Sequence, residues 1–197
     1  MATDSKVLQL GAADAGRLVS QREFAEAEFD EPWTYEREGG RLVVVSPCGE
    51  GHVSASEPWR DRLGAYKLTR PDLVQYVVSE AWMQVDGETD RIGDIGVYLV
   101  PTGTVGRIPD RVPDLVFEIV SPGRKSRERD YVKKRKDYRR YGVREYVVID
   151  RFARRVTVYA REGGRAVRRV LKPGDVYRSP LLPGLAIALD EVLPAGE

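Results

Sequence analysis

Hydrophobic and polar positions change period several times along this chain, and each change marks an element. From Asp114 to Val120 the period is two. Asp114, Val116, Glu118 and Val120 fall on one side of an extended strand, and Leu115, Phe117 and Ile119 on the other. The second side is wholly apolar and should meet a core. Arg91–Val100 alternates in the same way, with Ile92, Asp94, Gly96 and Tyr98 on one face and Ile95, Val97 and Leu99 on the other. Leu73–Val85, Glu145–Asp150 and Arg155–Arg161 also read as strands, and Gly163-Gly164 turns the chain into a further strand at Ala166–Leu171.

Helical spacing appears in three places. Ser20-Gln21-Arg22-Glu23 is a capping box that opens a short helix through Phe24 and Phe29 to a break at Pro32. A second helix is expected from the mid-fifties to Tyr66, capped by Ser54 or Ser56, because Pro58 is tolerated in a first turn. The third is strongly basic and follows Pro122. Between the first two, Trp33–Glu38, Gly39-Gly40 and Arg41–Ser46 form a hairpin. Arg178–Leu189 is Pro-rich and apolar, a closing edge segment. Residues 1–18 read as a poorly ordered lead-in, and 19–197 as a single domain. The central order is helix, three strands, helix, strand, which defines an α/β domain.

Composition narrows the chemistry. With 197 residues and 42% hydrophobic content the chain can bury one sizeable core, and 32 Lys+Arg against 31 Asp+Glu leave it almost neutral. The charge is unevenly placed. The helix after Pro122 carries Arg124, Lys125, Arg127, Arg129, Lys133, Lys134, Arg135, Lys136, Arg139 and Arg140, with few acids between them. Such a face suits a phosphate backbone or, equally, open solvent. A single cysteine, Cys48, excludes an internal disulfide and a multi-cysteine zinc site, and with the single histidine, His52, is too little for a Cys–His protease or a histidine-rich metal centre. No long apolar run or signal-peptide pattern is present, so a cytoplasmic protein with no membrane partner is expected.

Glu118, among hydrophobic neighbours, needs a metal, a cation or a proton to hold its place. Asp114 shares its face but stands about 13 Å away at ~3.3 Å per residue. Asp94 is the better partner, because a neighbouring strand lies only ~4.8 Å off. Two oxygen ligands with open water positions suit Mg²⁺ or Mn²⁺ rather than zinc. The plainer alternative for Asp94 is a strand-edge acid beside Gly93. In the basic helix, Tyr131, Lys134, Tyr138 and Tyr141 form one stripe at ~100° per residue, so Lys134 faces the sheet where its basic neighbours do not. It can meet the carboxylates as a charge on a phosphate or near an attacking water, or form a structural pair with Asp130 or Glu118.

These elements, with an acid in the second strand and another in the third, resemble the PD-(D/E)XK nuclease superfamily, and more closely the Uma-two family of restriction-endonuclease-like proteins. The similar segments are Tyr35-Glu36 through Gly40-Arg41-Leu42-Val43, Gly93-Asp94-Ile95-Gly96-Val97, Pro113–Pro122, Asp130 with Lys134 and Tyr138, Gly142–Tyr146, and Ser179-Pro180 with Leu182-Pro183-Gly184-Leu185. The resemblance implies a restriction-endonuclease-like core with a mixed sheet, an N-terminal helix and hairpin and a C-terminal β extension. It implies Asp94 and Glu118 as metal-binding acids, with the Ile119 carbonyl assisting. Val120 stands where the superfamily's lysine is usual, and Lys134 takes that place from the following helix. Gly93 replaces a usual proline, and Pro58 interrupts the early helix. The implied activity is a Mg²⁺- or Mn²⁺-dependent endonuclease on DNA, catalysed by Asp94, Glu118 and Lys134. Arg124, Lys125 and Arg127 would contact nucleic acid, and a homo-oligomer, a dimer, is expected. The alternative is a non-catalytic nucleic-acid-binding or oligomeric scaffold on the same fold.

Overall fold

The computed structural model describes residues 7–108 and 110–193. Its strands are β1 (Gln9–Leu10), β2 (Glu28–Phe29), β3 (Thr34–Glu38), β4 (Arg41–Val45), β5 (Val74–Asp86), β6 (Thr89–Leu99), β7 (Leu115–Ile119), β8 (Glu145–Asp150), β9 (Arg155–Glu162), β10 (Arg165–Leu171), β11 (Val176–Tyr177) and β12 (Ile187–Ala188). Helices are α1 (Gln21–Glu26), α2 (Glu50–Thr69), α3 (Arg124–Glu128) and α4 (Arg135–Tyr141), the last two joined by a π-helical turn at Arg129–Lys134. The chain divides into two compact units, Met1–Cys48 with Gln84–Ile92, and Gly49–Met83 with Gly93–Glu197.

The first unit holds α1 and the β3–β4 hairpin. Ser20 Oγ accepts from the Glu23 amide (3.2 Å) and Glu23 from the Ser20 amide (2.8 Å), the capping box read from sequence. Gly39 and Gly40 turn the hairpin at φ 57° and 72°, a turn that favours glycine. Of the 1–18 lead-in, residues 1–6 lie outside the described residues. In the remainder β1 pairs in parallel with β2, and Leu10 is fully buried. Two buried arginines pair with acids: Arg37 with Asp90, while also donating to the Val19 and Gly87 carbonyls, and Arg91 with Glu36 and Glu38.

In the second unit the strand order is β10-β9-β8-β7-β6, with β5 also on β6; β7 and β8 run parallel and the other ladders of this order antiparallel. The expected order of helix, three strands, helix, strand is present as α2, β5, β6, β7, α3–α4, β8. Apolar alternation divides β7 as read. Leu115, Phe117 and Ile119 join the core that α2 covers, while Val116 and Val120 join a second cluster with Tyr138, Tyr146 and Val148. The Arg178–Leu189 segment is more than an edge. Leu182, Leu185, Ile187 and Leu189 are buried in the first core, and Tyr177 and Ser179 both donate to the buried Glu145 carboxylate.

The second helix is the main correction. It runs Glu50–Thr69, starts from Gly49 rather than Ser54 or Ser56, and carries Pro58 in its interior. Ala55, Trp59 and Leu63, spaced at four, are buried on one face, with the Trp59 ring 5.8 Å from Phe117 and 5.5 Å from Tyr177. Burying such side chains contributes roughly 1.5–3 kcal/mol each for the large ones, which outweighs the ~3 kcal/mol cost of an interior proline. Tertiary packing overrides local propensity here. Pro58→Ala is therefore expected to stabilise the protein by about 1–3 kcal/mol, read as a higher urea midpoint at unchanged m-value. An equal or lower midpoint would show that the proline ring contributes to packing.

Candidate active site

Every residue of the site lies in the second unit. The β6–β7 ladder pairs Val97 with Leu115, Gly96 with Val116 and Ile95 with Phe117. Beyond that point the Ile119 amide donates to Asp94 Oδ2 at 2.6 Å, so a side-chain carboxylate takes a backbone donor of β7. A Cβ built on Gly93 would lie 2.8 Å from Val116 and 3.6 Å from the Tyr138 hydroxyl, on the Glu118 side, although Ile95 two residues on faces the α2 core. Strict alternation along Ile92, Asp94, Gly96 and Tyr98 is thus broken between Gly93 and Ile95. Glycine at this position has a physical reason: a Cβ there would displace Val116 and press on Met83, 3.1 Å away.

Glu118 is 2% exposed. Its Oε1 accepts from Lys134 Nζ at 2.9 Å and from the Tyr138 hydroxyl at 2.6 Å. Lys134 is itself 3% exposed. The tyrosine stripe does face the sheet, but the helix reaches it by an unexpected route. Residues 129–134 open into a π-turn, a local widening common at functional sites. The Asp130 carbonyl at this turn accepts from the buried Tyr146 hydroxyl (2.9 Å), and the Tyr146 ring packs edge-on against Tyr138 at 5.1 Å. One tyrosine therefore steadies both the turn that carries Lys134 and the ring that holds Glu118. The π-turn also buries Asp130, whose Oδ1 pairs with Arg129 while Oδ2 is buried without a hydrogen-bond partner.

Electrostatics follow from this crowding. Burial pushes the Glu118 carboxyl up to about 8; the Lys134 charge opposes the rise, and the charges of Asp94 and Asp130 reinforce it. Asp130 is also raised, by burial first. Asp94 is less enclosed: its side chain is 24% exposed, and Oδ1 lies 3.4 Å from Nε2 of His52, in the first turn of α2. Asp114 stands apart, accepting from the Leu99 amide and Arg144. Glu36 is occupied within the first unit, accepting from the Ile92 amide and Arg91.

The sequence-derived set is thus distributed unevenly. Glu118 and Lys134 are in contact, and Asp94 adjoins through Ile119, whose amide rather than carbonyl makes that link. Arg124 and Lys125 are exposed at the start of α3, whereas Arg127 is drawn to the buried Asp150 at 3.1 Å. The part played by Tyr146, the burial of Asp130 in a π-turn and the proximity of His52 to Asp94 escaped the sequence reading, which named Asp130 only beside Lys134. Only Asp130, four residues before Lys134, carried a signal. Hard oxygen donors, one of them partly open to water, fit Mg²⁺ or Mn²⁺, which keeps several waters beside one or two carboxylates. Among the described residues no three His, Cys, Asp or Glu side chains cluster closely enough to form a metal site of protein ligands alone. The orphaned Asp130 oxygen agrees with a cluster that protein donors leave incomplete.

The family profile of Uma2, described as "Putative restriction endonuclease", matches residues 21–190, and the chain belongs to that family. Four solved chains match its structure. One is the crystal structure of a "putative nuclease belonging to DUF820" from Anabaena variabilis ATCC 29413, with a TM-score of 0.70, 17% identity, and coverage of 89% of this chain and 97% of that one. That likeness shows the restriction-endonuclease-like fold. No curated protein matches the chain.

The raised Glu118 value fixes a sign. Its proton is held more tightly folded than unfolded, so the stability it contributes is complete below about 4.5 and is lost as pH rises through about 8. In metal-free buffer the Glu118 carboxyl carbon should titrate by NMR with a midpoint near 8, and the melting temperature should fall across that window. A midpoint at or below 4.5 would contradict this electrostatic account.

Proposed function

We propose that this Uma2 chain is a metal-dependent endonuclease that hydrolyses phosphodiester bonds in DNA, with Asp94 and Glu118 holding one Mg²⁺ or Mn²⁺, assisted by the Ile119 carbonyl. The observation that carries the reading is the buried Lys134–Glu118 contact at 2.9 Å beside the Asp94 bridge. Burying two such groups costs several kcal/mol per ion in desolvation, and a hydrophobic pair of the same volume is often as stable or more so. A fold gains little from the arrangement, whereas phosphoryl chemistry gains an anionic cation site with an ammonium beside it.

A divalent cation bound there would supply charge neutralisation at the phosphate and a water acidified toward neutral pH. The chain supplies the rest. Tyr138 and Lys134 orient Glu118, and the Ile119 amide orients Asp94. The Lys134 ammonium stabilises negative charge as it develops on the phosphate oxygens. Arg124 and Lys125 hold the nucleic-acid backbone without reading sequence, and Arg127 does so only at the expense of its pair with Asp150. DNA as partner and a homodimer as the assembly belong to the same reading. The scaffold alternative draws on a different observation: Glu118 is closed off by Lys134 and Tyr138, and a permanently closed pair would bind no cation.

Plasmid nicking by purified variants, with thermal melts in parallel, separates the two. Lys134→Met keeps the aliphatic stem and is expected to stay folded while cleaving ~10²–10³-fold more slowly. Glu118→Gln should abolish metal-dependent cleavage at any Mn²⁺ concentration. Wild-type rates from Lys134→Met would remove Lys134 from the mechanism, and no cleavage by the wild type with any divalent metal would favour the scaffold. Separately, Arg124→Ala with Lys125→Ala should flatten the salt dependence of DNA binding by about one to two units in log–log slope, at unchanged stability. Salt-independent binding would contradict the phosphate role.

A further inference from the structure

Next to His52, which adjoins Asp94, Gly51 occupies the second position of α2. Glycine is a poor helix former, and one retained here calls for a reason. Arg151 supplies it. A Cβ on Gly51 would fall 2.6 Å from Arg151 Nη1, 2.8 Å from Cζ and 2.9 Å from Nη2. Three nearly equal distances mean that the guanidinium lies flat against the glycine. Cζ also stands 4.3 Å from the centroid of the Phe152 ring, so an aromatic surface and a bare backbone together set the plane of the fork. Arg151 directly follows the end of β8, the parallel neighbour of the strand that carries Glu118. Ligands of open α/β sheets gather at such carboxyl ends.

A guanidinium with its plane fixed has already lost the freedom that binding would otherwise take from it; its fork matches two phosphate oxygens, which would replace what Arg151 meets in the free protein. We propose that Arg151, seated on Gly51 beside His52, holds a DNA backbone phosphate adjacent to the one bound at Asp94 and Glu118. This rests on the DNA-cleaving reading above and extends it: the substrate track would run past the start of α2 and the end of β8, as well as along Arg124 and Lys125. The step is binding alone, so no bond is made or broken by Arg151.

The test is fluorescence anisotropy of a DNA duplex with the full chain, Ca²⁺ replacing Mg²⁺ and the duplex checked for cleavage on a gel, over a series of salt concentrations. Arg151→Met should lower affinity and reduce the log–log salt slope by about one unit. Gly51→Ala is the diagnostic variant. Its methyl group displaces the far end of a flexible side chain, so the helix should melt at the same or a higher temperature while DNA affinity falls by at least ~3-fold. Structural damage does not raise stability and weaken binding together. Arg168→Met, on the exposed face of β10, should bind as the wild type does. An Arg151→Met slope equal to wild type would overturn this inference and leave the nuclease reading standing. Wild-type affinity in Gly51→Ala would overturn the seating of the fork. A wild type that binds no DNA at any salt would overturn both.

Discussion

Glu118 sits on an interior strand with its carboxylate stripped of water, and what surrounds it offsets the cost of that position. An unpaired carboxylate in such a place is unfavourable by several kcal/mol. Lys134 brings a charge, Tyr138 a hydroxyl, and a raised affinity for a proton supplies the remainder. Each of these depends on something further out. Lys134 reaches inward because the helix opens into a π-turn, the Tyr146 hydroxyl holds that turn by its Asp130 carbonyl, and the Tyr146 ring packs edge-on against Tyr138.

The same constraint organises the strands. Where the β6–β7 ladder ends, Asp94 accepts the Ile119 amide, so the two acids adjoin without being adjacent in a regular ladder. A cation at this place would meet one carboxylate open to water and one enclosed. That asymmetry suits a metal that must keep waters for chemistry. It also gives Lys134 two possible partners, the carboxylate in the free protein and a phosphate in the complex.

Much of this was legible in the sequence because it follows from period. Alternation along 114–120 divided Glu118 from the apolar face, strand rise separated it from Asp114, and the tyrosine stripe turned Lys134 inward while leaving Lys133, Arg135 and Lys136 outside. The features that were not legible depend on contacts between residues far apart in the chain. The π-turn rests on Tyr146, sixteen residues beyond Asp130. Pro58 is kept within α2 by the burial of Trp59 against Phe117 and Tyr177. His52 meets Asp94 only because a helix begins at Glu50, earlier than its serines suggested. Propensity and spacing carry no record of such pairings.

The most direct test of the central claim is a crystal structure of the protein soaked in Mn²⁺, read from the anomalous signal of the metal. The account predicts a peak between the carboxylates of Asp94 and Glu118, with Lys134 shifted from its 2.9 Å contact with Glu118. A crystal fully equilibrated with Mn²⁺ that showed no peak there, and the Lys134–Glu118 pair intact, would contradict it.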